Sequence, residues 1–177
     1  MREVIRFAWG TCYLGDFIIA ISDKGLVAVE FSQNRGAMED VLRARFPDAD
    51  VTASQDELAV TLDRVCHAIE EPQFDAALPL DLRGTPYQLQ VWSMLRALPV
   101  GKTTSYGALA AQLGTRDARE VTEAIASNPI AVLVPCHRVV RKDGSISGYR
   151  WGVKRKRELL AREQQAKHSP TSNRDDE

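Results

Sequence analysis

Two strand-like segments separated by a tight turn constrain the fold of this chain more than any other pattern in it. Residues 17–21 and 26–31 are almost wholly apolar and rich in β-branched and aromatic side chains, which favour strands. Residues 22–25 between them have the composition of a hairpin turn. Residues 4–9 add a third segment of the same kind. We therefore predict a small three-stranded antiparallel sheet near the N-terminus.

Helical periodicity follows the predicted strands. Residues 36–46 predict a short helix that stops before Pro47, and residues 55–70 predict a second helix. The apolar positions expected to face inward are Met38, Val41, Leu42 and Phe46 in the first helix and Leu58, Leu62, Val65, Cys66 and Ile69 in the second. Together with the sheet, these helices predict an α+β N-terminal domain over residues 1–77.

A second, mainly helical domain is predicted over residues 78–166. Residues 85–88 carry a capping-box pattern, in which a threonine caps the helix and a glutamine three residues later bonds back to it. The positions of this helix expected to face inward are Leu89, Trp92 and Leu95. Alternating leucines before the helix favour a short strand, and these are Leu78, Leu80 and Leu82.

Two further short helices are predicted over residues 105–113 and 118–127. Gly114 separates them, and Asp117 is a suitable N-cap for the second. The pair resembles a helix-turn-helix, a common DNA-reading unit, although an ordinary helical hairpin has the same pattern. A terminal helix is predicted over residues 153–165, and the polar residues 167–177 predict a disordered tail.

Charge is divided unevenly along the chain. Residues 1–83 hold 8 Lys+Arg and 15 Asp+Glu, whereas residues 84–166 hold 13 and 6, which gives net charges of −7 and +7. A basic half fits a polyanion such as DNA, although two halves that merely attract each other would show the same division. The sequence has no apolar stretch of membrane-spanning length and no signal-peptide pattern. Its three cysteines are too few for a disulfide framework, so we expect a cytoplasmic protein with no membrane partner.

Cys136 is the candidate nucleophile. It lies between Pro135 and His137-Arg138, at the end of the apolar run 130–134, which is typical of a strand. A basic neighbour and an imidazole favour the thiolate, the reactive form of cysteine. A cysteine in an apolar segment is otherwise an inert small hydrophobe, and the Cys-His pair alone does not decide between these interpretations.

Several stretches around Cys136 resemble the O6-alkylguanine-DNA alkyltransferases, or methylated-DNA–protein-cysteine methyltransferases, of the bacterial Ogt type and of the C-terminal half of Ada. They are residues 128–129, 135–140 and 147–152, with weaker similarity at 82–85 and 91–92. The resemblance implies a ribonuclease H-like N-terminal domain. It also implies a single-turnover repair protein that moves an alkyl group from O6 of guanine, or O4 of thymine, in DNA to its own cysteine. No cofactor and no metal are implied.

The resemblance also implies catalytic roles. Cys136 is the alkyl acceptor, His137 is the base that removes its proton through a water, and Glu163 orients the histidine. Asn128 bonds the backbone around the active-site turn. Tyr106 offers its hydroxyl to the departing guanine, which improves the leaving group.

A DNA-binding surface and an alkyl pocket follow from the same resemblance. The O6 atom cannot be reached inside a duplex, so a monomer of the protein is expected to approach the minor groove of double-stranded DNA and flip the damaged base out. Arg119 is expected to fill the vacated stack. The other expected DNA contacts are Tyr106, Ala118, Thr122 and Lys142, and the expected pocket residues are Val139, Tyr149 and Arg150.

The helix that begins at Ala118 departs from the family pattern. The family usually has small residues after the arginine that corresponds to Arg119, whereas this chain has Glu120, the β-branched Thr122 and Glu123 there. The charges of the two carboxylates would repel DNA phosphates. Glu120 also lies three residues after Asp117, so it fits a capping box in which it would fold back onto the helix start. Gly107 replaces a polar residue that often follows the tyrosine at this point in the family.

Three other functions fit parts of the pattern. A non-catalytic sensor of alkylation damage would lack the acceptor cysteine, which is present at Cys136. A helix-turn-helix transcription regulator would use the helix pair alone. A cysteine hydrolase would need an oxyanion hole, for which the sequence offers no motif. We therefore expect the alkyl transferase, with the non-catalytic DNA-binding protein as its main alternative.

Overall fold

The computed structural model describes residues 1–115 and 117–168. Within them, the secondary-structure elements in chain order are β1 Glu3–Cys12, β2 Gly15–Ser22, β3 Gly25–Phe31, α1 Arg35–Arg45, β4 Ala49–Ala53, α2 Ala59–Glu70, α3 Pro86–Arg96, β5 Thr104–Ser105, α4 Tyr106–Gln112, α5 Ala118–Ala126, β6 Val139–Val140 and α6 Val153–His168. The last helix therefore extends into the predicted disordered tail, whose residues 169–177 lie outside the described residues. None of the helices in the described part of the chain is long and apolar enough to cross a membrane.

The N-terminal sheet confirms the α+β class and contains one more strand than the sequence predicts. Its order is β3-β2-β1-β4, with antiparallel pairing among β1, β2 and β3 and parallel pairing between β1 and β4. Strand β4 is short, and of its residues only Ala49 is buried. Its sequence therefore carries little strand pattern, and its position depends on pairing with β1.

Both faces of the sheet are covered. Phe17 and Ile19 face the core shared with α2 and the C-terminal helices, whereas Ile18 and Ala20 face a second core beneath α1. All four side chains are fully buried. This packing explains why β2 is continuously apolar, since a strand with one solvated face would alternate apolar and polar residues.

Two distant segments cover the outer edge of β3. The Leu26 amide donates to the Pro79 carbonyl, and the Asp81 amide donates to the Leu26 carbonyl. Further along the strand, the Val29 amide donates to the Pro129 carbonyl, and the Ala131 amide donates to the Val29 carbonyl. The expected short strand around Leu80 is thus reduced to a single bridge with Leu26.

Some details of the predicted helices are wrong. Val41 and Leu89, both expected to face inward, are 47% and 37% exposed, because each lies at the margin of its helix's apolar stripe. Helix α2 begins at Ala59, not at residue 55, because the four preceding residues form turns. Cys66 on α2 is half-buried and contacts the Thr11 carbonyl through its Sγ.

The run 130–134 does not form the strand that its apolar composition predicts. Ile130 makes one bridge with Val29, residues 131–133 turn, and Cys136–Arg138 form a single 3₁₀ turn. Val132 has a φ of 68°, a left-handed conformation that is costly for a β-branched residue. The run is apolar because it is buried, not because it is extended.

The C-terminal helices pack around a buried tryptophan. The capping box of α3 forms as predicted, with both Thr85 and Gln88 bonding to the helix start. Trp92 on α3 is fully buried, and its indole N–H donates to the Ala124 carbonyl of α5 at 2.8 Å. This contact fixes α5 against α3, while α4 precedes α5 across the turn that contains Gly114.

Candidate active site

Asn128 organises the turn that carries the candidate nucleophile. Its side-chain oxygen accepts from the Ile130 amide at 2.9 Å. Its Nδ2 donates to the carbonyls of Ile130 and Val134, and to Cys136 Sγ at 3.3 Å. The side chain is fully buried, so each of these bonds replaces one to water. One asparagine thus holds the strained turn in place and contacts the thiol directly.

The Cys136 thiol is buried and protonated in the free protein. Burial raises its pKa to about 11, although the Asn128 hydrogen bond and the charges of Lys156 and Arg150 act in the opposite direction. The neighbouring Arg138 does not compensate, because its guanidinium bonds Glu163 and the Leu98 carbonyl. The adjacent basic residues therefore do not ionise this thiol in the free protein, and deprotonation needs a base.

His137 is the candidate for that base. Its Nε2 lies 2.6 Å from Glu163 Oε1, and both side chains are buried. Burial lowers the His137 pKa, with Glu163 opposing the shift, so the imidazole is neutral at pH 7. When Nε2 carries the proton and donates it to the carboxylate, Nδ1 is left with a lone pair. That atom is buried and has no hydrogen-bond partner among the described residues.

Glu163 is anionic despite its burial. Burial raises its pKa, but hydrogen bonds from His137 and Arg138 and the charge of Arg138 outweigh that effect and lower it. The Arg138 guanidinium contacts both carboxylate oxygens, at 3.0 and 3.1 Å from its Nε. A buried carboxylate held from two sides can orient the imidazole and stabilise a positive charge that develops on it.

Cys136 opens into a cavity of about 520 Å³ bounded by α5 and by the loop before α6. We call this the acceptor cavity. Its lining includes the predicted residues Tyr106, Thr122, Cys136, Tyr149 and Arg150. Val139 does not line it, because its side chain is fully buried within the strand pair β5–β6. Lys142 is exposed on a turn outside the cavity.

Helix α5 presents the predicted DNA-binding residues to solvent. Ala118, Arg119 and Thr122 are exposed, and the Arg119 side chain is 89% exposed. The Arg119 guanidinium lies 3.1 Å from the Asp117 carboxylate, a pair that solvent screens strongly. The cavity and this exposed surface share Thr122, so the cavity borders the exposed face of α5.

The capping box predicted for Glu120 does not form. The Asp117 amide, which Glu120 was expected to bind, instead donates to Thr115 Oγ1 at 3.2 Å. The Asp117 carboxylate caps the helix through the Arg119 amide. Glu120 is therefore exposed on α5 without that local role, and it borders a groove that Glu123 of α5 and Tyr87 of α3 also line.

Lys156 belongs to the site and was missed in the sequence, whereas Ser147 belongs to the loop 147–152 that the resemblance implies as a wall of the alkyl pocket. Lys156 is 1% exposed, and its Nζ donates to the Val139 carbonyl, to Ser147 Oγ and to the Gly148 carbonyl. Burial lowers its pKa to about 8. Ser147 Oγ is also 2.6 Å from the Tyr106 hydroxyl. A signal existed, because Lys156 precedes Leu159 by three and Glu163 by seven positions and so shares their helix face.

A buried acceptor thiol, a neutral base held by a carboxylate and an exposed helix beside one cavity define a cysteine-nucleophile protein with a candidate DNA-binding helix. Comparison with known proteins identifies the class further. The family model described as 6-O-methylguanine DNA methyltransferase, DNA binding domain, matches residues 86–165. The chain is 41% identical over 160 residues to Ada of Escherichia coli, named a bifunctional transcriptional activator/DNA repair enzyme, covering 90% of this chain and 45% of that protein.

Two other relatives match over most of their length. The inducible methylated-DNA–protein-cysteine methyltransferase of Bacillus subtilis is 38% identical over 154 residues, which are 85% of this chain and 86% of that protein. A solved structure of Mycobacterium tuberculosis OGT in complex with DNA superposes with a TM-score of 0.76 at 30% identity, covering 91% of this chain and 94% of that one. The chain belongs to the methylated-DNA–protein-cysteine methyltransferase family, while it spans about half the length of Ada.

Proposed function

We propose that this protein repairs DNA by moving an alkyl group from O6 of guanine, or O4 of thymine, to Cys136 in a single turnover. The observation that carries the proposal is the arrangement of Cys136 in the acceptor cavity next to a neutral His137 paired with Glu163. Names and family membership of the relatives support the same activity. We assign the activity to residues 78–166, acting as a monomer in the cytoplasm.

The first step is deprotonation of the thiol. A thiol with a pKa of about 11 is almost entirely protonated at neutral pH, so the proton must leave as the reaction begins. His137 Nδ1 takes it through a water, while Nε2 keeps its own proton and its bond to Glu163. The imidazolium that forms is stabilised by the carboxylate beside it.

The second step is displacement at the alkyl carbon. The thiolate forms a sulfur–carbon bond as the carbon–oxygen bond breaks, and the electron pair of that bond leaves with the base. Tyr106 lines the cavity and offers its hydroxyl proton to the departing guanine, which improves the leaving group. The thioether product is not hydrolysed by water, so each molecule acts once. The bonds formed and broken in this step require no cofactor.

Access to the alkylated base is through α5. We propose that this helix enters the minor groove of double-stranded DNA, that Arg119 fills the gap left by the flipped base, and that the base enters the acceptor cavity. Exposure of Ala118, Arg119 and Thr122 along one helix supports this assignment. Lys142, on the exposed turn after β6, would contribute a phosphate contact.

Mass spectrometry of the intact protein tests the proposal. After incubation with duplex DNA that contains O6-methylguanine, the protein should gain about 14 Da once, on the peptide with Cys136. Unmodified duplex is the control for adventitious alkylation. Binding of the methylated duplex with no gain in mass would support the non-catalytic DNA-binding alternative, and repeated turnover would contradict a consumed acceptor.

A further inference from the structure

Arg150 stands between two cavities. It lines the acceptor cavity together with Cys136, and it also lines a neighbouring groove of about 700 Å³, which we call the side groove. Ala126 is the other residue that borders both. Of these two shared residues the arginine has the much larger side chain, so it is the candidate for a partition between the two spaces.

The Arg150 guanidinium is held on several sides. It pairs with Glu30 Oε1 at 2.8 Å, donates to the Asn128 carbonyl at 2.9 Å and lies 5.3 Å from the centre of the Trp151 ring. An arginine with this many partners loses most of its freedom to swing. The side chain, although 28% exposed, is therefore held in one position and can act as a wall.

Glu30 anchors this wall from the N-terminal sheet. The carboxylate is 3% exposed, and its second oxygen binds Arg45 Nη1 at 2.7 Å. A buried carboxylate that lost one of its two arginines would be left with uncompensated charge, so the pairing with Arg150 is costly to break. The sheet thereby contributes to the acceptor cavity without lining it.

We propose that Arg150, held by Glu30, is a specificity-determining wall that limits the size of the alkyl group transferred to Cys136. The inference rests on the proposed transfer reaction. Without the wall, the acceptor cavity would join the side groove. The lining of this groove includes the apolar residues Val27, Phe46, Trp92 and Pro129 beside charged residues such as Arg45 and Arg83. The occupant expected there is the far end of a bulky apolar adduct, such as the ring of a benzyl group.

The chemistry is the same for every adduct. In each case a sulfur–carbon bond forms, the carbon–oxygen bond breaks and the base departs with the electron pair. The acceptor, the base and the leaving group do not change with adduct size. The ratio of the benzyl to the methyl transfer rate therefore reports on the space beyond the reacting carbon and cancels effects on folding and DNA binding.

The test compares single-turnover transfer from two duplexes, one with O6-methylguanine and one with O6-benzylguanine, followed by intact mass. Arg150→Ala removes the wall, and Glu30→Gln weakens its anchor. The benzyl-to-methyl rate ratio should rise about tenfold or more in Arg150→Ala, the effect of relieving a steric misfit in an apolar pocket, and by a smaller factor in Glu30→Gln. Arg45→Met is the matched control, because it disrupts the same buried cluster and widens the side groove but leaves Arg150 paired with Glu30. Its ratio should match that of the wild type.

The outcomes separate cleanly. A benzyl-to-methyl ratio within about twofold of wild type in Arg150→Ala, including an equal fall of both rates, would overturn the proposal that Arg150 limits adduct size. An equal rise in Arg45→Met would overturn it too, because groove width and not Arg150 would then set the limit. Failure of the wild-type protein to transfer even a methyl group would instead reject the proposed function, and the inference with it.

Discussion

The two halves of this molecule bury different kinds of residue. In the part of the chain that the structure describes, the buried polar and charged residues of the N-terminal half are Ser22 and Glu30, whereas those of the C-terminal half are Asn128, His137, Arg138, Ser147, Lys156 and Glu163. The sheet is held mainly by apolar packing, and its buried carboxylate, Glu30, reaches the acceptor cavity only through Arg150. Burying polar groups around Cys136 costs desolvation free energy, which their hydrogen bonds offset. Those bonds also fix an acceptor, a base and a charge in place.

The largest expected effect falls on the acceptor itself. Cys136→Ala should abolish alkyl transfer completely and leave duplex binding intact, because no other thiol lies in the acceptor cavity. Loss of mass gain with retained binding is the readout. Cys66→Ala, half-buried on α2, is the matched control and should transfer at the wild-type rate. Residual transfer in Cys136→Ala would remove this residue from the proposed role.

Glu163→Gln should affect both activity and stability. A neutral amide cannot hold the imidazolium or compensate Arg138, so single-turnover transfer should fall by about 10²- to 10⁴-fold. The uncompensated arginine should also lower the free energy of unfolding by about 3–5 kcal/mol. Glu158→Gln, on the same helix but partly exposed, is the control. A wild-type rate in Glu163→Gln would show that His137 needs no orienting carboxylate.

A core substitution in the sheet should lower stability without changing the transfer rate. Ile18 is fully buried beneath α1, away from the acceptor cavity, and Ile18→Ala should lower the free energy of unfolding by about 2–5 kcal/mol. The transfer rate of the protein that remains folded should not change. Urea unfolding and single-turnover rates measure the two quantities. Val60→Ala, 73% exposed, is the control, and a slowed transfer in Ile18→Ala would mean that the halves are not energetically separate.

Acid should lower the free energy of unfolding through the buried groups His137 and Glu163. The pKa values of His137 and Glu163 are lower in the folded than in the unfolded protein, so the unfolded state binds more protons as pH falls. Their contribution is complete at neutral pH. It declines as pH drops below the ordinary histidine value near 6.5 and again below the ordinary glutamate value near 4.3. Urea unfolding at several pH values measures this slope, which His137→Gln should flatten; an unchanged slope would contradict the assignment.

The smallest expected effect concerns the exposed helix. Glu120 lacks the capping role and points its charge outward, so Glu120→Ala should tighten duplex binding by about twofold to fivefold at low salt, the worth of one screened charge. Affinity titrations at two salt concentrations measure the change, which should shrink in high salt. Glu39→Ala on α1 is the control from the other half. Equal affinities for wild type and Glu120→Ala would show that the charge of Glu120 does not weaken DNA binding.

Local signals in the sequence account for much of the fold. The caps at Thr85 and Asp117 lie where the capping rules predict them, and the hairpin at residues 22–25 joins β2 to β3. Strand β4 could not be predicted in this way, because only its pairing with β1 defines it. The turn at residues 131–134 was missed for a related reason, since its conformation is imposed by Asn128 and the β3 edge and not by its own composition.

The candidate site also has features that the sequence shows and features that only the fold shows. Cys136, His137 and their family pattern are adjacent in sequence and could be identified there. The protonation state of the thiol could not, because burial outweighs the neighbouring charges. The pair formed by Glu30 and Arg150 joins residues 120 positions apart, and no sequence pattern links them. The burial of Lys156 could have been predicted, because this cation lies on an apolar face of its helix.

The covered edge of β3 also orders events during synthesis. The sheet strands leave the ribosome before the C-terminal helices, but the edge of β3 can be covered only after residues 79–81 and then residues 129–131 have emerged. The carboxylate that completes the base lies 26 residues beyond His137, in the last described helix. A nascent chain therefore carries Cys136 as an ordinary thiol, and the acceptor is assembled only when nearly all of the described chain is available to fold.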